Sequence, residues 1–146
     1  MSIETYTLRQ RTAAALTAAL AGSGWQESSD SYDTFGAGDG ERLHLSFAVG
    51  VPSTVAVVGD RQIRTVGAWS TSRVGVKWAY NLSALDQVVS YDAGLEAEAD
   101  VLKAVLAALT SIGVRLVYES GNRAVDDQGW MMGTIVFRAP HHLPLS

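Results

Sequence analysis

No cysteine occurs anywhere in this sequence. That absence excludes disulfides, cysteine-ligated zinc and a cysteine nucleophile, and it fits a protein made and used inside a cell. Charge is scarce as well: Asp, Glu, Lys and Arg make up 18% of the residues against a usual quarter, and the formal net charge is −4. A chain that holds DNA by its phosphates carries a basic stripe, so the balance predicts no general affinity for nucleic acid, although Arg61, Arg64 and Arg73 fall close together. No apolar run reaches the roughly 18 residues a membrane span needs. Met1 to Tyr6 lacks the basic and apolar regions of a signal peptide. The expectation is a soluble protein with no membrane association.

Catalytic and ligand-binding signatures are missing too. There is no Gly-x-Ser-x-Gly turn. The glycine-rich stretch Gly36 to Gly40 precedes a strand pattern, so it lacks the helix N-terminus that nucleotide loops offer to phosphate. The acidic stretch Asp30 to Asp33, with Asp39 and Glu41, lacks the alternating ligands of a calcium loop and reads as a solvated loop. His44 falls on the polar side of its strand. His141 and His142 are neighbours near the end of the chain, and a metal needs ligands that converge from more than one place. Glu119, Asp126 and Asp127 are explained by turns. No constellation of acid, base and nucleophile emerges, so no catalytic, metal or cofactor residues are assigned and no enzyme activity is expected.

What is present is a core. Apolar residues make up 47% of 146 positions, enough for one domain spanning residues 1–146. Leu8 to Ala21 reads as a helix, with Thr5 or Thr7 as its cap and Gly22 or Gly24 at its end. Trp25 to Arg42 has turn chemistry throughout. Leu43 to Val51 alternates as a half-buried strand, Pro52 breaks or bends it, and Thr54 to Val58 forms a second short run. Gly59 to Ser72 is either a strand around Gln62 to Trp69 or a projecting loop. Arg73 to Leu82 is a strand with Val74, Val76, Trp78 and Tyr80 on one face.

Asp92 to Ile112 reads as a long helix, with Asp92 as N-cap and Gly113 at the left-handed exit. Its first apolar stripe is Leu95, Leu102, Val105, Leu106, Leu109 and Ile112. A second is Val101, Ala104 and Ala108, and it should meet the first helix or another subunit. Val114 to Glu119 and Trp130 to Arg138 close the domain as strands joined by a hairpin, and the tail from Ala139 is extended. This order predicts an α+β domain: a mostly antiparallel sheet with an N-terminal helix and a long central helix packed on one face. A loop of about fourteen residues is unusual in so small a domain. Arginines flanking Trp69 are the mixture enriched at interfaces, so Arg61, Arg64, Trp69 and Arg73 are candidate subunit contacts, as are Val101, Ala104 and Ala108.

An opening helix, a strand-rich middle, a long helix and a closing hairpin resemble the tail terminator proteins of long-tailed bacteriophages and the related tail-completion (neck) proteins. The phrases Val76 to Leu82 and Tyr91 to Glu96 carry the likeness. The glycine-rich loop at Gly36 to Gly40 and the His141-His142 pair depart from it. The resemblance implies a virion protein forming a homo-oligomeric ring, most often a hexamer. Such a ring caps the tail tube and joins it to the head, with tail tube protein and head-tail connector proteins as partners. DNA would pass through the lumen without specific binding, which an acidic wall permits. Two other readings compete: a head-completion or connector protein, and a small α+β ligand-binding or enzymatic domain with a pocket between sheet and helices.

Overall fold

The computed structural model describes residues 3–28, 31–35, 45–56, 68–81, 87–125 and 129–143. The elements run α1 (Thr5–Ala19), β1 (Trp25–Glu27), β2 (Leu45–Ala56), β3 (Ala68–Asn81), α2 (Gln87–Ala107), α3 (Leu109–Ile112), β4 (Val117–Val125) and β5 (Trp130–Leu143). The five strands form one sheet in the order β1-β2-β3-β5-β4. All pairings are antiparallel except β1 with β2. The fold is α+β, with α1, α2 and α3 packed on the same side of the sheet.

Helix α1 begins three residues before the expected start, with Glu4 at the N-cap and no side-chain cap. Its buried ridge is Leu8, Thr12, Leu16 and Leu20, an i, i+4 series. Thr12 joins an apolar ridge because its hydroxyl donates to the Leu8 carbonyl at 2.8 Å, which removes the cost of an unpaired buried hydroxyl. Opposite lie Phe47 and Val49 of β2, Val74, Val76 and Trp78 of β3, and Ile135 and Phe137 of β5, all buried in one cluster with the helices. Alternation along the strands puts these residues on the helix side and their neighbours on the other.

The long helix departs from expectation in three ways. It starts at Gln87, so Asp92 lies inside it and is not the N-cap. It breaks at Ala108, whose N–H is shared between the carbonyls of Ala104 and Val105, and α3 completes it. Gly113 does take the left-handed exit, at φ 80°. The third difference is the buried stripe. Ala97, Val101, Ala104 and Val105 face the core, while Leu106 is 48% exposed. Small side chains allow α2 to approach α1, where Ala13 and Ala15 are also buried.

Trp25 to Glu27, expected in a loop, pairs with Leu45 to Phe47 as a short parallel strand. Pro52 does not end β2. Val51 and Pro52 together face the single residue Val74 of β3, a bulge that lets one strand run on to Ala56. The hairpin is longer than expected, because β4 continues through Ser120 to Val125. The extended tail is part of β5 and pairs with β3 as far as Leu143. Pro140 is tolerated there for a topological reason. The His142 carbonyl accepts from the Ile3 N–H at 2.8 Å, so His142 turns its backbone groups away from β3. Pro140, two residues earlier, turns the same way, beyond the start of β4 at Val117 opposite Arg138, and no ladder donor is lost.

On the side away from the helices, residues 31–35 lie across the sheet as a strap. Gly50 and Gly75 are paired neighbours on β2 and β3, and the Tyr32 ring lies over both. A β-carbon at Gly50 would stand 2.3 Å from Tyr32 Cγ. The Lys77 ammonium donates to the Tyr32 carbonyl at 2.8 Å and sits 4.3 Å from the ring centroid. Phe35 completes the strap in a small second cluster with Ala48, Ala79 and Trp130. Gly50→Ala is expected to lift Tyr32 off the sheet and cost about 1–3 kcal/mol, the range for overpacking. Gly75→Ala should cost less, because its nearest contact is the movable hydroxyl end of the same side chain. Urea denaturation of both variants checks the order.

Candidate functional site

Beyond the strap, the open face of the sheet carries Arg73, Lys77, Thr134, Val136 and Arg138, placed there by alternation from the buried set. A second bulge shapes this face. Tyr118 pairs with Phe137 and Ser120 with Val136, which leaves Glu119 as the extra residue of β4. The bulge aims its carboxylate across β5 to Arg73 on β3, with contacts of 3.0 and 3.3 Å from Nε and 3.1 Å from Nη2. Arg138, paired with Arg73, adds its charge nearby. The hydrogen bond from Arg73 is the main cause that holds the Glu119 carboxyl below its usual range, and the same bond raises the Arg73 guanidinium. Both groups are in solvent, so this pair orders the surface more than it stabilises the fold.

At the β4 edge on the helix side, Arg123 makes a forked contact with Glu98 of α2, at 2.7 and 3.0 Å. Tyr91 and Tyr118 lie close enough to act on its charge, and both are exposed. The ring edge of Tyr118 meets Phe137 at 6.2 Å between centroids.

A buried polar chain joins the N-terminus to β5. The His141 Nδ1–H donates to the Ile3 carbonyl at 3.1 Å, which leaves Nε2 to accept from the Ser72 hydroxyl at 2.6 Å. Ser72 in turn accepts from Thr54 at 2.8 Å. Burial is the leading cause that pushes the imidazole below its ordinary value. A serine hydrogen-bonded to a histidine is the geometry of a nucleophile and its base. Here Nδ1 meets a carbonyl in place of a carboxylate, and Ser72 and His141 are 0% and 1% exposed. The chain ties Ile3, β2, β3 and β5 together.

Clefts mark the surface formed by the described residues. One, about 450 Å³, lies at the β2 edge between Arg9 of α1 and the strap. A second, about 380 Å³, lies on the open face around Phe35, Lys77, Asn122 and Thr134. A third, about 370 Å³, is a shallow groove where Leu20 and Ser23 meet Asp100 and Lys103. Among the described residues no group of three or more His, Asp or Glu converges as a metal site, and no helix is long and apolar enough to cross a membrane.

Those residues singled out from sequence that the structure describes do not form one site. Arg61 and Arg64 lie outside the described residues. Trp69 stands in β3, paired with His142. Arg73 is on the open face. Val101 and Ala104 are buried in the chain's own core and Ala108 packs against it, so the second stripe of the helix meets α1 and the sheet. Glu119 and Arg123 were not legible from sequence as surface anchors, because both depend on partners on other elements. The exposed tyrosines were visible only as aromatic residues of unknown side.

No family model matches the chain, and no curated protein matches it. Among solved structures, a chain of the "Virion of native gene transfer agent (GTA) particle" is similar to it, with a TM-score of 0.48 at 14% identity, over 94% of this chain and 93% of that one.

Proposed function

We propose that the chain is a structural subunit of a phage-type virion, of the tail-terminator kind, which closes into a ring at the end of the tail tube. The observation that carries this reading is the placement of its exposed apolar side chains. Tyr118 and Val125 on β4 are 52% and 49% exposed, and Val55 on β2 is 59% exposed. The strand order puts β4 and β2 toward opposite ends of the sheet. A closed ring needs two unlike, complementary patches on each subunit, and two separated patches meet that requirement. Tyr91, Arg123 and Tyr118 supply the side-chain types enriched at binding hot spots. The order helix, strands, long helix and hairpin is the one the resemblance implies. In this role the chain is a building block without catalysis of its own, its partners are tail tube and connector proteins, and its acidic balance lets DNA pass.

Native mass and electron microscopy over a wide concentration range test the reading. Rings of about six copies are expected. Tyr118→Asp and Val55→Asp should each abolish rings, and the two variants mixed should form a one-to-one dimer through their remaining intact patches. Wild-type chains that stay monomeric, alone and with tail tubes, would overturn it.

A further inference from the structure

The two exposed apolar patches lie on opposite faces of the sheet as well as toward opposite ends of it. Tyr118 pairs with Phe137 and Val125 with Met131, both buried against the helices, so these two side chains stand on the helix side. Val55 pairs with Thr71, which alternates with the buried Ser70 and Ser72, so Val55 stands on the open side. The two faces also differ in charge.

On the open side the strap lies over Gly50 and Gly75. Beyond it, Val55, Arg73, Arg138 and Pro140 are all exposed. Strand register sets them in two adjacent rows. Arg73 is directly opposite Arg138, while Thr71 lies between Val55 and Pro140. Like charges directly opposite on a sheet repel. Glu119 binds Arg73, so two guanidinium groups share one carboxylate and one positive charge is left over. The face is thus part apolar and part basic, in a chain whose net charge is −4.

On the helix side α2 turns the opposite sign outward. Asp92, Glu96 and Asp100 recur every four residues, so they share one side of the helix, and all three are exposed. Among the described residues no ion pair takes up any of them. Lys103 lies three residues past Asp100 and offsets that end, which leaves Asp92 and Glu96 as the surplus. Tyr91 and Leu106 of the same helix are exposed too and supply apolar surface.

The outward side of α2 and the open face of the sheet are therefore complementary, and they point away from each other. A two-fold pair cannot satisfy both at once, whereas a head-to-tail arrangement can. We propose that the open face is the docking surface for α2 of a second copy, with Asp92 and Glu96 of one chain set against Arg73 and Arg138 of the next. The inference rests on the ring reading and says which surfaces of neighbouring subunits meet.

A charge swap tests it, read by native mass and electron microscopy of the full chain. Arg138→Glu and Glu96→Arg should each raise the concentration for half-assembly at least about tenfold, since each sets like charges together. The two substitutions in one chain restore opposite signs, and assembly should return close to the wild-type value. Both positions are exposed, so each variant should keep the wild-type melting temperature. A second measurement leaves these charges in place. The chain has no cysteine, and positions 71 and 99 lie on opposite sides of it. Thr71→Cys combined with Ala99→Cys, treated with a short bis-maleimide, should give a covalent ladder beyond the dimer, while each single variant stops at the dimer. Rings that form equally well in both single charge variants, or a double charge variant no better than the singles, would overturn the docking and leave the ring reading standing. A ladder that stops at the dimer with both cysteines present would do the same. Wild-type chains that never assemble would overturn both.

Discussion

Trp78→Ala is expected to cost about 3–5 kcal/mol, the range for deleting a large buried aromatic side chain. For a small domain with about 5–15 kcal/mol of total stability that is enough to leave it marginal. Trp78 is fully buried in β3, and its register partners are Phe47 on one side and Gly133 on the other. A β-carbon at Gly133 would stand 2.7 Å from the Trp78 ring atoms Cε2 and Cζ2, and 2.7 Å from the Asn122 carbonyl oxygen. The indole thus lies across β5 in space that only a glycine leaves open, which explains a glycine in a central strand. Gly133→Ala should itself cost about 1–3 kcal/mol by overpacking.

The two positions should also be coupled. Combining Gly133→Ala with Trp78→Leu frees the ring contact but not the Asn122 contact, so the double variant should be more stable than the sum of the singles by at least about 0.5 kcal/mol. Strict additivity in urea denaturation would show that the ring does not use that space. Among the described residues the buried indole Nε1 has no hydrogen-bond partner. Trp78→Phe removes that unpaired donor and keeps most of the ring, so it should cost far less than the alanine.

The second large effect is a pH dependence centred on His141. Its folded pKa is lowered, chiefly by burial, from an ordinary value of 6.5. Well above that value the imidazole is neutral in both states, and the buried hydrogen bonds contribute fully. As pH falls below about 6.5 the unfolded chain takes up the proton first, and stability declines until the folded pKa is reached. The slope for one such group is at most about 1.4 kcal/mol per pH unit. Thermal melts from about pH 7.5 to about pH 5.5 should show this fall, and His141→Gln should flatten it. The window lies above the one in which Glu119 titrates, since its folded pKa sits below the ordinary carboxylate value. An equally steep fall in the variant would assign the acid sensitivity to another group. His141→Ala should also cost about 1–3 kcal/mol at neutral pH, because the Ser72 hydroxyl and the Ile3 carbonyl lose their partner in a buried place.

The fold class was legible because hydrophobic alternation survives in the strands that matter most. Phe47, Val49, Val74, Val76 and Trp78 point to the helices as their spacing requires. Local chemistry also placed the exit at Gly113. The boundaries were less legible wherever a long-range partner sets them. Trp25 to Glu27 is a strand only because Leu45 to Phe47 runs beside it. Pro52 read as a break or a bend, and it is a bulge within one continuous strand. His141 looked like part of an extended tail, and β3 and Ile3 close over it.

The candidate contacts were legible as types and not as places. Val101 and Ala104 read equally well as a seam to another subunit or to α1, and helical spacing alone cannot say which surface covers a stripe. The arginine at position 73 was noticed for its neighbours in sequence. Its actual partner, Glu119, is brought to it by a bulge two strands away.

By itself, then, the sequence determined the class of the fold, the buried side of β3 and of the first half of β2, and the lack of cysteine chemistry. These follow from residue type and from periods of 2 and 3.6, which act over a few neighbours. Only the tertiary structure decided which helix stripe is inside, how Tyr32 covers Gly50 and Gly75, and how Ile3, Ser72 and His141 meet. Those depend on contacts between residues as far apart as 3 and 141, and no local pattern encodes which distant surface will arrive to cover a given face.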